Sequence, residues 1–308
     1  MSEDYPRDLV GYGAKPPHPQ WPGGARIAVQ FVINYEEGGE NCILHGDAAS
    51  EAFLSDIVGA EPWPGQRHLS MESMYEYGSR AGAWRLLRLF QERQMTATCF
   101  CVGMALERHP EPMRAMRDAG FEIASHGYRW IDYRHVDEAT ERQHIAQSVA
   151  AHERLLGERP LGFYQGRTGD NSRRLCVEEG GFVYDADSYS DDLPYYDRSF
   201  DPPHLVVPYT LECNDMRFAM SQGFNTAEQF FTYMKDSFDV LYAEGATQPK
   251  MMSVGLHCRL SGRPGKAAAL ARFLDYIQGH DAVWVCRRID VARHWLERHP
   301  PTSQKAQV

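Results

Sequence analysis

From Arg26 the chain becomes strongly apolar, in the run RIAVQFVINYEE. Ile27, Val29, Phe31 and Ile33 alternate with Ala28, Gln30, Val32 and Asn34, and only Gln30 and Asn34 are polar. A strand with apolar residues on both faces is covered on both faces, so the run predicts a parallel-sheet strand. Similar short runs recur at TATCFCVG (96–103), FEIASHG (121–127), LGFYQG (161–166), FVYDADS (182–188), LVVPYT (205–210), MMSVGLH (251–257) and AVWVCRR (282–288). Helical patterns separate several of them. MESMYEYGSRAGAWRLLRLFQERQ (71–94) precedes the second run. TERQHIAQSVAAHERLLG (140–157) carries Ile145, Val149 and Leu156 at near-helical spacing, and AALARFLDYIQG (268–279) precedes the last run. Strands alternating with helices imply βαβ units. Seven or eight such units predict a single distorted TIM-like (β/α) barrel rather than an open sheet. No GxGxxG follows the first strand, so a dinucleotide fold has no support.

The flanks read differently. Residues 1–25 are rich in Pro and Gly and predict an extended arm, of a kind that often packs on a neighbouring subunit. The barrel is expected over 26–300, and 301–308 is expected to be a frayed tail. Residues 38–71 form a long insertion after the first strand, and long loops in compact domains are usually functional or mobile.

Composition narrows the function classes. The chain has 308 residues, 43% of them hydrophobic, enough for a large core. Its net charge of -10 comes without any basic stripe, which argues against a nucleic-acid partner. No stretch approaches the ~20 apolar residues of a membrane span. The start, MSEDYPRDLV, lacks the apolar core of a signal peptide. The seven cysteines form no CxxC pair and predict reduced, mostly buried thiols in a cytoplasmic protein.

Polar residues collect where the strands end, which is where α/β barrels place their active sites. The first run ends in Glu36-Glu37, the third in Ser125-His126, and the fourth in Tyr164-Gln165-Gly166-Arg167. The fifth ends in Asp185-Ala186-Asp187, and the run at 251–257 ends in His257. Each has an ordinary reading when taken alone. Glu36 and Glu37 could be a solvated loop pair, His126 a hydrogen-bonded structural histidine, Arg167 a surface arginine, and the aspartates turn braces. Together they describe one rim carrying acids, a base and a cation. His109 and His299 precede prolines, and His144 and His152 are expected on the exposed side of a helix, so these four read as background.

The order of these motifs resembles the polysaccharide deacetylase (NodB-homology) superfamily over roughly residues 10–300. That family has an Asp-Asp pair, then His-x3-His, Arg-x-Pro, an Asp-containing segment and Leu-x-His, and it holds a divalent metal. Here Glu36-Glu37 stands for the first pair. In SHGYRW (125–130) His126 is kept and Trp130 replaces the second histidine. Arg167 lacks the following proline, YDADSYSDDLPYY (184–196) stands fourth, and Leu256-His257 stands fifth. Indole offers only an N–H donor and cannot bind a metal. These departures, with the opening DLVGYGAKPPHPQWPGGARIAV and the segment LHCRLSGRPG, resemble the metal-independent allantoinase subgroup.

The resemblance implies hydrolysis of allantoin to allantoate with no cofactor or metal, by a homotetramer. It implies Glu36 as general base and His257 as general acid, with Asp191 orienting His257. Glu37, His126, Trp130, Tyr164, Gln165, Arg167 and Asp187 are then substrate-binding residues, with Trp130 and Tyr164 covering the ring. The alternatives are a metal-dependent polysaccharide N-deacetylase, a cyclic imide hydrolase sharing Asp191-Asp192-Leu193-Pro194, or a non-catalytic binder. A binder would need neither Glu36 nor His257.

Overall fold

The computed structural model describes residue 5 and residues 7–301. The apolar run after Arg26 forms β1 (Ile27–Tyr35), buried at every position. Its neighbours fix the barrel. Along one edge β8 (Lys250–His257) runs parallel in unbroken register, from Ile27 opposite Lys250 to Asn34 opposite His257. The other edge is shared: β9 (Val283–Val285) pairs with Ile27–Val29, and β2 (Thr98–Cys101) with Val32–Tyr35. One strand thus serves three partners, and the register aligns Asn34, Phe100 and His257 at its C-terminal end.

From β2 the sheet continues through β3 (Glu122–Ser125), β4 (Gly162–Phe163), β5 (Tyr184–Asp185), β7 (His204–Val206) and β6 (Tyr195–Asp197). Strand β6 is antiparallel, an element absent from the sequence expectation, so the sheet is mixed. The sheet curls into a distorted α/β barrel that stays partly open between its end strands β6 and β8. That gap is spanned by an isolated bridge from Asn214 to Gly255 and by Met251 N–H donating to Asp192 O.

Alternation along β1 divides two cores. Ile27, Val29, Phe31 and Ile33 face the helices, where Phe31 meets Phe90 and Phe273 edge-on. Ala28 and Val32 face the barrel interior with Phe100, Tyr164, Tyr184 and Tyr209. The two polar residues of the run also point inward. Gln30 Oε1 accepts from the buried Arg288 at 3.1 Å. Asn34 Nδ2 donates to Tyr209 Oη and Leu256 O, each at 3.1 Å. A buried guanidinium needs such acceptors, which explains a glutamine within an apolar strand.

The pattern at 71–94 becomes two helices, Leu69–Tyr77 and Ala83–Glu92, joined by a π-helical turn at Gly78–Gly82. The other two expected helices appear as Glu138–Leu156 and Pro264–Gln278. The first is capped by Asp137 and stopped by Gly157 in the left-handed region. A further helix, Ala227–Glu244, opens with a Thr226/Gln229 capping box, a signal present in the sequence but not used above.

The arm packs on its own barrel. Trp21 is buried against Trp284, His294 and Trp295, and its indole donates to Lys250 O at 3.0 Å. Tyr12 donates to Pro194 O. The expected tail TSQKAQV lies outside the described residues. All seven cysteines are free and buried. His152 corrects an expectation: it is fully buried, its Nδ1 2.8 Å from Ser148 O, because its helix packs that face inward. Among the described residues, no helix is long and apolar enough to cross a membrane.

Trp21 anchors the arm at the end of the barrel away from the strand C-termini. Trp21→Ala is expected to lower unfolding stability by about 3–5 kcal/mol in urea titration. The side chains at the opposite rim should keep their arrangement.

Candidate active site

Strand β1 ends at Tyr35 and the chain turns sharply, with Gly39 N–H donating to Glu36 O at 2.9 Å. Gly38 makes the turn at φ +100, against the Arg108 side chain. This delivers Glu36 and Glu37 into the top of the barrel, only 1% and 4% exposed.

Glu36 is the hub. Its Oε1 lies 3.2 Å from His126 Nε2 and 3.5 Å from His257 Nε2, and its Oε2 lies 2.7 Å from Arg259 Nη2. Burial drives its pKa up, but the charges of Arg259 and His257 and the histidine hydrogen bonds outweigh that, holding the carboxyl well below its usual range. Glu37 behaves oppositely. Burial raises its pKa, Arg259 at 3.5 Å only partly offsets this, and the charge of Glu36 adds to the rise.

His257 is held from both ends. Its Nδ1 lies 2.6 Å from Asp215 Oδ1 and its Nε2 faces Glu36. Both neighbours are carboxylates and only accept, so the ring carries two protons when both contacts are made. Burial alone would lower its pKa, but Glu36 and Asp215 raise it to about 9. Asp215 is itself fixed: its Oδ2 accepts from the backbone N–H of His257 and Ser261. His126 Nδ1 lies 3.0 Å from Tyr164 O, a backbone acceptor that orients the ring toward Glu36.

Arg259 is fully buried. Its guanidinium lies 4.1 Å from the Tyr75 ring centre and 5.2 Å from that of Trp130, and its Nε donates to Leu54 O at 2.7 Å. The π-helical turn makes room for this corner. A Cβ on Gly78 would lie 2.1 Å from Glu37 Oε1, and one on Gly82 would lie 1.9 Å from Cys258 O. An inserted residue in a helix is a frequent mark of a functional site.

The insertion 38–71 covers the rim. Phe53 stacks on Trp130 at 6.0 Å, Tyr75 donates to Phe53 O, and Glu51 lies 3.5 Å from Arg167 Nη1. Leu54 sits at φ +60, a conformation that costs a bulky residue about 1–3 kcal/mol and occurs mostly at functional sites. Arg167 lies 5.0 Å from the Trp130 ring centre. Gln165 Nε2 and Arg167 Nη1 are buried without hydrogen-bond partners.

Most of the expected residues converge here: Glu36, Glu37, His126, Trp130, Gln165, Arg167 and His257. Tyr164 lies beside His126, stacked on Phe100 at 4.8 Å. Asp187 supports the wall from behind, accepting from the backbone N–H of Gln165 and Gly166. Burial and the charge of Asp185 raise its pKa to about 7. Asp191 is a correction. It accepts from Leu193 N–H near Gly11, while the partner of His257 Nδ1 is Asp215. Asp215 reaches His257 because Asn214 pairs beside Gly255 of β8, a tertiary register with no local signature. Arg259 was also missed, although it stands two residues beyond His257.

Comparison with known proteins places this geometry. The family model for polysaccharide deacetylases matches residues 67–179. A Schizosaccharomyces pombe protein assigned by name to the polysaccharide deacetylases is 42% identical over 314 residues, covering 96% of this chain and 98% of its own. This chain belongs to the polysaccharide deacetylase family. Two solved structures in the same range are the probable polysaccharide deacetylase of Pseudomonas aeruginosa PAO1 and PuuE allantoinase. The first is 63% identical with TM-score 0.95, covering 96% of this chain and 99% of its own. The second is 62% identical with TM-score 0.95, covering 97% and 100%.

The family resemblance implies a divalent ion between the first acid pair and two histidines. The residues of this chain do not fit one. Trp130 replaces the second histidine, and the Arg259 guanidinium already lies against both carboxylates. Among the described residues, no three His, Cys, Asp or Glu side chains converge as an ion requires.

Two outcomes follow. The folded pKa of His257 lies above its ordinary value, so its contribution to stability is complete below about pH 6.5 and is lost as pH rises through about 9. Denaturant titrations across that window should show the loss, and His257→Gln should flatten it. Gly82→Ala pushes on the backbone just before Arg259, so turnover should fall at least about tenfold while thermal unfolding stays cooperative.

Proposed function

We propose that this hydrolase opens the hydantoin ring of allantoin to give allantoate, without a metal ion. The observation that carries the reading is enclosure. Glu36, His126, Gln165, His257 and Arg259 are all nearly sealed from solvent, and residues 51–54 close against Arg167, Trp130 and Arg259. A polymer has to be held in an open groove on both sides of the reacting bond. A small heterocycle needs only a covered chamber with a few well-placed polar groups. The likeness to PuuE allantoinase over whole chains supports the same reading.

Allantoin is neutral and planar around its ring, with several N–H donors and carbonyl acceptors. Gln165 Nε2 and Arg167 Nη1 are buried donors that make no well-formed hydrogen bond, Arg167 being held by Glu51 at 3.5 Å, and both can meet carbonyl oxygens. In the proposed step, water oxygen adds to the ring carbonyl carbon as Glu36 takes a proton from it. His257 Nε2 then gives a proton to the ring nitrogen as the carbon–nitrogen bond breaks, leaving a carboxyl group and a free ureido nitrogen. The negative oxygen of the intermediate is met by Arg167 or His126, each worth about 3 kcal/mol. Glu36 and His257 are 3.5 Å apart, so the proton on Glu36 can return to His257 and reset the site. Asp215 replaces Asp191 as the group that orients His257. The assembly proposed is a cytoplasmic homotetramer. The insertion exposes Leu44, Val58, Trp63 and Leu69, apolar side chains of the kind subunit contacts cover.

A ring-opening assay tests this directly. The protein should convert allantoin, and Glu36→Gln should lower kcat by about 10²–10⁴-fold. Near-normal turnover by Glu36→Gln would remove the base assignment. Acetate release from N-acetylated chitooligosaccharides, together with stoichiometric zinc and loss of activity on chelation, would instead establish the metal-dependent deacetylase. Preferential opening of cyclic imides would move the substrate class to that rival.

A further inference from the structure

The neighbourhood of Arg259 raises the question why a site of this family should be built around a guanidinium. Three independent features hold this one side chain. Two carboxylates face it, Glu36 at 2.7 Å and Glu37 at 3.5 Å. Two aromatic rings, Tyr75 and Trp130, lie within cation–π range. The third is Leu54, whose carbonyl accepts from Nε while its backbone is held in the left-handed region. Unlike the buried Arg288, whose guanidinium donates to Gln30, Ser253 and two backbone carbonyls, this one faces two carboxylates at the strand ends, and one of its rings is the very residue that displaces a histidine from the second motif. A planar guanidinium also suits this place chemically: it stays charged at any working pH and meets two carboxylates in fixed directions.

We propose that Arg259 is the resident cation of this site: boxed by Tyr75 and Trp130, it holds Glu36 ionised and aimed between His126 and His257 for proton transfer. Arg259 is thus a positioning residue acting through Glu36. Without it, Glu36 keeps only its two histidine contacts against a burial penalty that favours the neutral acid, which cannot accept a proton from water. The His-to-Trp change and the arginine then form one device. Trp130 removes a nitrogen that would compete for an ion and supplies a ring face for the guanidinium.

The inference rests on the hydrolase reading of the same site, and its test separates the two. Arg259→Ala should lower kcat on allantoin about a thousandfold with KM changed less than about threefold. Arg259→Lys should keep part of the activity. Millimolar guanidinium chloride should restore part of the turnover of Arg259→Ala and none of that of Glu36→Gln.

Removing one charge from a buried group can unfold the chain, so the balanced double variant Arg259→Ala/Glu37→Gln is made alongside, its fold checked by circular dichroism. Infrared difference spectra, taken with Glu36→Gln as reference, read Glu36 without any substrate. The carboxylate band expected in the native protein at pH 7 should become a protonated carboxyl band in the double variant. A Glu36 that stays ionised there, or a kcat within tenfold of native in either variant, overturns the role of Arg259. A native protein inactive on allantoin but showing the infrared change overturns the substrate reading and leaves the cation in place.

Discussion

The ion pair between Glu36 and Arg259 is the constraint around which the upper half of this molecule is arranged. Two buried opposite charges at 2.7 Å are costly to desolvate and hold only if their remaining valences are met. The surroundings supply these: His126 and His257 on the other oxygen of Glu36, and Glu37, Leu54 O and two aromatic faces on Arg259. Much that looks incidental follows from this. Gly78 and Gly82 lie in a π-helical turn because a side chain at either would strike Glu37 or the backbone beside Arg259. Leu54 is held in an unfavourable conformation because its carbonyl is an acceptor the guanidinium uses.

The same pair sets the electrostatics. Within a few ångströms, one carboxyl is held low, its neighbour is raised and an imidazole is raised to about 9. Chemically similar groups driven apart in this way provide an ionised acceptor and a protonated donor together. Asp215 completes the set from a turn that the main path of the sheet does not include. It reaches His257 through the bridge that spans the barrel's open side, so the partly open sheet is itself used to orient the acid.

How much of this was legible in the sequence varied with the range of the interaction. The strand runs and three helical stretches could be read because they follow from local periodicity. Glu36, His126, Arg167 and His257 could be read because side chains at strand ends share a rim in any barrel. The antiparallel strand Tyr195–Asp197 could not, since three half-exposed residues carry no period. His152 looked solvent-facing because a helix pattern does not state which neighbour it meets. Asp191 was expected to orient His257 because the resembled family uses an acid of its fourth motif, whereas the partner is set by which loop lies beside Gly255.

By itself the sequence determined the class of fold, the end of the barrel that carries chemistry, and, through its family resemblance, that Trp130 stands where a ligating histidine is expected. These rest on alternation, residue type and the donor chemistry of single side chains. Only the tertiary structure decided what replaced the ion. Arg259 becomes a cation for Glu36 because three segments far apart in the chain (the end of β1, the insertion at 53–54 and the turn after β8) fold onto one another. The physical reason is that a buried charge is defined by its partners, and partners brought together by packing leave no period in the chain that supplies them.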